Sequence, residues 1–73
     1  MERESSIGDR ELALVRHNAD RGSVSVAEAV DEFGASHGLA RSTVLTMMER
    51  LRRKGYLSRA MAQGVFRYRA CAS

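Results

Sequence analysis

Within RSTVLTMMERLRRKGYL, residues 41–57, five side chains can make directed polar contacts from neighbouring positions: Arg41, Ser42, Thr43, Thr46 and Arg50. A hydroxyl bonds a phosphate oxygen or a base edge, and the threonine methyl can touch the methyl of thymine. A guanidinium grips guanine O6 and N7, or a phosphate, in a two-pronged fork. Between these residues lie Val44, Met47, Met48 and Leu51 at helical spacing, an apolar stripe that belongs in a core. The cations Arg52, Arg53 and Lys54 follow together. They suit the negative end of a helix dipole, and they suit a phosphate backbone, where contacts position a protein without reading sequence.

Charge supports the second use. The net charge is +3, but residues 1–40 carry four basic and eight acidic groups (−4). Residues 41–73 carry eight basic groups and one acid, Glu49 (+7), and seven of the eight are arginine. A cationic half rich in arginine points to a polyanion partner. No Ser/His/Asp set, carboxylate pair or phosphate loop is present, so no enzymatic activity is expected. His17 and His37 stand apart on polar stretches and read as surface residues, with no metal site or cofactor expected. The single cysteine, Cys71, excludes an internal disulfide, and no 18-residue apolar run or secretory leader occurs, which fits a cytoplasmic location.

The elements that must hold the polar residues follow from periodicity and punctuation. Seventy-three residues make one small domain, expected over residues 9–70, with a flexible polar N-terminus at 1–8 and a tail at 71–73. A first helix is expected from about Asp9, read as its N-cap, to Asp20, with Leu12, Val15 and Ala19 inward and Gly22 as its stop. Val24 suits a very short strand. Ser25 and Glu28 have capping-box spacing and open a second helix of about ten residues, with Val26, Val30 and Phe33 inward. Its exit is expected at Gly34–Gly38, followed by Leu39 as a plug. The third helix runs from about Arg41 to Lys54 and stops at Gly55. The period then changes to two. Strands around Tyr56–Leu57 and Phe66–Tyr68 flank a loop expected over 60–64, with Gly64 at positive φ. Phe66 and Tyr68 would face in, Arg67 and Arg69 out. Helix, strand, helix, helix and hairpin make a mainly α fold with a small β-hairpin: a winged helix-turn-helix of three helices plus wing.

These residues resemble a known family. STVLTMMERLRRKGYLSR followed by VFRYRA is similar to the DNA-binding domain of the penicillinase-repressor family, of the BlaI, MecI and CopY type. Thr43, Val44, Thr46, Met47, Met48, Arg50, Leu51, Lys54, Gly55, Tyr56, Leu57, Phe66 and Tyr68 fall on its pattern. ELALVRH and GSVSVAEAVDEF resemble its first two helices. The resemblance implies a transcriptional repressor that binds double-stranded DNA at a palindromic operator as a homodimer. It places Arg41, Ser42, Thr43, Thr46 and Arg50 in or near the major groove, Arg53 and Lys54 on the backbone, and Arg67 and Arg69 on a DNA-contacting wing. Ala40 departs from the usual Ser or Thr cap. The family's C-terminal dimerisation region is not among these 73 residues, so either the sequence is a piece of a longer chain or pairing is expected to fall to helix one and the residues after the wing. A winged-helix module that docks proteins is the alternative, disfavoured by the +7 half. RNA binding is disfavoured because the wing is expected to expose no aromatic for stacking.

Overall fold

The computed structural model describes residues 8–71; the expected polar leader over 1–7 and residues 72–73 of the tail lie outside them. Helix α1 is Asp9–Arg21. Its N-cap is Gly8, not Asp9: the Gly8 amide donates to the Glu11 carboxylate at 3.3 Å, so the acid one turn in, not the one at the start, answers the free backbone donor. Strand β1 is Val24–Ser25. The capping box forms as expected, with Glu28 N–H donating to Ser25 Oγ at 3.2 Å and Ser25 N–H to Glu28 Oε1 at 3.1 Å.

The second helix, α2, is longer than expected and not uniform. An α-turn at Val26–Ala29 runs into a π-helical stretch at Val30–Gly34 and ends in an α-turn at Ala35–His37. Gly34 is therefore buried mid-helix rather than at the exit. A Cβ there would stand 3.2 Å from Val44 Cγ2 and 3.3 Å from the Leu39 carbonyl oxygen, so the residue is small because the third helix crosses against it. That helix, α3, is Arg41–Lys54, with uncapped Ala40 at its start. It closes where Gly55 adopts φ +92°, letting Tyr56 N–H reach the Leu51 carbonyl at 2.9 Å.

The wing is β2, Leu57–Ala62, and β3, Val65–Ala70. β3 is central in an antiparallel sheet of order β1-β3-β2. The turn is only Gln63–Gly64, both at positive φ (54° and 80°), the geometry of a tight twisted hairpin. The loop expected at 60–64 thus shrinks to two residues: Ala60, Met61 and Ala62 look like poor strand formers, but cross-strand pairing to Arg67, Phe66 and Val65 carries them into the ladder.

The core contains Leu14, Val24, Ala29, Phe33, Val44, Met47, Met48, Leu51, Leu57 and Tyr68. The α3 stripe is buried as expected, both methionines included. The α1 face is not. Leu12 is 39% exposed and Ala19 is exposed, while Leu14 and Asn18 are fully buried and Val15 is half-buried. The inward line runs through 14 and 18, and a polar residue at 18 disguised it. Val30 and Leu39 pack at the core's edge, half-buried.

Candidate nucleic-acid interface

Burying Val44, Met47, Met48 and Leu51 turns the opposite face of α3 outward. Arg41, Ser42, Thr43, Thr46 and Arg50 are all exposed. Ser42, Thr43, Thr46 and Arg50 surround a shallow hollow of about 260 Å³ to which Met47 also contributes. The structure thus brings these four residues together; Arg41 stands apart, in a groove with Ser25 of β1, Val26 and Ala27 of α2, and Gly64–Phe66 of the wing. Arg50 is loosely tethered, its Nη1 3.7 Å from Glu11 Oε2 and its side chain 58% exposed. Lys54 lies 3.8 Å from the same carboxylate. Arg53 and Arg69 are exposed.

Arg67 differs from the expectation of an outward wing contact. Its guanidinium donates to Ser23 Oγ at 3.1 Å, to the Ser23 carbonyl at 3.0 Å and to Glu28 Oε1 at 3.0 Å. It pins β3 to the residue before β1 and to the first turn of α2. Glu28's carboxyl is held below its ordinary value first by the Ser25 amide and then by Arg67. Replacing Arg67 with Ala is therefore expected to destabilise the fold by about 1–2 kcal/mol, the loss of charge-assisted bonds at a half-buried site. Arg69→Ala is expected to leave thermal stability within about 0.5 kcal/mol. Circular-dichroism melts of the two variants separate these roles.

The wing's aromatics also split. Tyr68 is buried, but Phe66 is 42% exposed, contrary to the expectation that both face in. Arg59 takes the place of the core there: the guanidinium carbon sits 4.2 Å from the ring centroid. The expectation of no exposed wing aromatic therefore fails, although one face of the ring is already stacked on a cation.

Sequence reading missed the ion pairs that tie the elements together. Glu49 accepts from Arg52 Nη2 at 2.8 Å and Nε at 3.2 Å, from Arg59 Nη1 at 3.1 Å, and from the Tyr68 hydroxyl in a short hydrogen bond. Its available signal was being the one acid among residues 41–73, three positions before Arg52. On the far side, Arg21 grips Glu32 with two bonds of 2.9 and 3.0 Å, and His17 Nε2 lies 2.9 Å from the same carboxylate. His17 and His37 are not isolated: both contact Phe33, His37 stacked at 4.1 Å between ring centroids. Among the described residues no group of His, Cys, Asp and Glu could hold a metal ion, and no helix is long and apolar enough to cross a membrane.

The family model described as Penicillinase repressor matches residues 7–73. Among solved structures, the solution structure of the DNA binding domain of the repressor BlaI matches with a TM-score of 0.82 at 26% identity, covering 100% of this chain and 89% of that one. No curated protein matches.

Proposed function

The chain belongs to the penicillinase repressor family, and from that premise we propose that it is a sequence-specific transcriptional repressor that reads a palindromic operator as a homodimer, one half-site per protomer. Helix α3 enters the major groove by its N-terminal half. Thr43 and Thr46 meet base edges or a thymine methyl, Ser42 bonds a base edge or a phosphate, and Arg50 forks onto guanine. Arg41, Arg53, Lys54 and Arg69 sit on phosphates. Arg67 serves the interface by holding the wing in place.

The observation that carries this reading is the two-sidedness of α3. Its apolar stripe is buried while Ser42, Thr43, Thr46 and Arg50 stand together on the open face. Three hydroxyls and an arginine converge on one hollow of that face, the donor and acceptor set that base edges and phosphates require. Seven of the eight cations after position 40 are arginine, and Arg41, Arg53 and Arg69 stand exposed with Arg50, which supports a polyanion partner. With about four phosphates neutralised per protomer, the affinity of each half-site should fall with a log–log salt slope near −3.6.

Selection of duplexes from random sequence by the purified protein tests the reading, with inverted repeats as the expected product. Against such a duplex, Arg50→Ala should lose about 1–3 kcal/mol of binding, roughly 5- to 150-fold, with tolerance of substitution at one base pair of each half-site. Recovery of unrelated sequences, or unchanged affinity of the Arg50 variant, would overturn it.

A further inference from the structure

Glu49 is the one carboxylate in the cationic half of the chain, and it faces neither solvent alone nor the groove-facing residues. Its two oxygens divide the work. Oε1 takes both bonds from Arg52, three residues along the same helix. Oε2 takes the wing: Arg59 from β2 and Tyr68 from β3, residues that pair directly across the hairpin. From Arg59 the connection continues outward, because its guanidinium also covers Phe66 near the wing tip. One side chain on α3 is thus bonded to both strands of the hairpin. The apolar packing of the wing beyond Leu57 and Tyr68 is thin: from Ser58 to Ala62 every β2 residue is exposed. The carboxylate supplies a directed bond where the core supplies little burial.

We propose that Glu49 is a positioning residue for DNA recognition: it fixes the angle between the wing and α3, and by engaging Arg52 and Arg59 it withholds two guanidinium groups from indiscriminate phosphate contact. This rests on the DNA-binding reading above. Of the eight basic residues after position 40, Arg52, Arg59 and Arg67 are engaged in close hydrogen-bonded ion pairs with Glu49 or Glu28, at 2.8–3.1 Å. Arg41, Arg53 and Arg69 are exposed, and Arg50 and Lys54 have only the longer contacts of 3.7 and 3.8 Å to Glu11. Selectivity benefits, since every uncommitted cation raises affinity for all DNA alike while a fixed wing favours only a duplex that fits both elements.

Glu49→Gln tests this. The carboxamide is nearly the same size, but one of its two ends offers N–H where an acceptor is needed, and the charge is gone. In the free protein, amide hydrogen exchange across residues 58–69 should quicken about tenfold, while the amides of Val44–Leu51 keep their protection. With DNA, the ratio of affinities for a duplex selected from random sequence over a scrambled duplex of equal length should fall about tenfold. Scrambled duplex should bind more tightly, with a salt slope steeper by about 1–2 for the two released arginines. If wing exchange is unchanged, or both duplexes weaken in parallel at an unaltered slope, Glu49 has no positioning role. Should the Gln variant fail to melt cooperatively, Arg59→Gln decides: it cuts the β2 arm and the Phe66 stacking that continues it, leaves Arg52 and Tyr68 on Glu49, and should quicken wing exchange and lower discrimination without tightening the scrambled complex. Failure of the parent protein to select any duplex sinks the repressor reading, not the brace, which the exchange measurement still judges.

Discussion

Leu51→Ala is expected to lower the stability of the domain by about 2–5 kcal/mol, enough to leave much of it unfolded at ordinary growth temperatures. Leu51 is fully buried at the end of the α3 stripe, in the cluster with Met47, Met48, Leu57 and Tyr68. Removing its isobutyl group loses transfer free energy and leaves a cavity in the buried cluster that joins the helices to the sheet. In a domain this small about 1 kcal/mol shifts the melting midpoint by roughly 4–8 °C, so the expected fall is large. A circular-dichroism melt reads it. Leu45→Ala on the same helix is the control: Leu45 is 40% exposed, and its loss should cost no more than about 0.5 kcal/mol. Equal melting points for the two variants would mean that α3 is rotated from the orientation described above, and that its hydroxyl face is not the open one.

Acid should unfold the protein by way of Glu49. The Arg52 guanidinium, and after it the Tyr68 hydroxyl, hold the Glu49 carboxyl down to about 2 from an ordinary 4.5. A carboxyl whose folded pKa is depressed adds stability that is complete above the unfolded value and is lost as pH falls toward the folded one. The window is therefore pH 4.5 to about 2. A difference of that size corresponds to roughly 3 kcal/mol at most, and about 2 kcal/mol after solvent screening of a side chain that is 21% exposed. Glu28 and Glu32 are depressed in the same direction, by the Ser25 amide with Arg67 and by Arg21 respectively, and steepen the loss. Urea titrations at pH 6, 4 and 3 should show stability falling by about 2 kcal/mol or more across the series in the parent. The Glu49→Gln protein, already without this contribution, should show a shallower dependence. Parallel curves for the two proteins would exclude Glu49 as the dominant acid-sensitive group.

The parts legible in the sequence were those set by neighbours along the chain. The span of α3, its buried stripe and its Gly55 stop follow from a 3.6-residue period and one glycine. The capping box follows from Ser25 and Glu28 standing three apart. The winged helix-turn-helix follows from the order of such elements. Where sequence and structure part, residue type misleads. Asn18 is fully buried with neither side-chain amide atom hydrogen-bonded to the protein, so the true inward face of α1 was hidden behind a polar residue while Leu12 was placed in the core. Glycine so often marks a helix end that Gly34 reads as one; the crossing of α3 requires it instead. Gln63 sits at positive φ, where asparagine is the usual signal, and so the short turn was read as a loop.

By itself, then, the sequence determined that a helix would exist at 41–54, which of its residues would be sunk and which would face outward. Those are properties of one segment, fixed by repeat length and hydrophobicity before any other segment arrives. Only the tertiary structure decided which cations remain outward. Arg59 meets its partner ten residues back, Tyr68 nineteen, and Arg67 reaches Glu28 across thirty-nine. A hydrogen bond needs its donor and acceptor within about 3 Å, and no count of charges along a chain contains that distance until the hairpin has folded against α3.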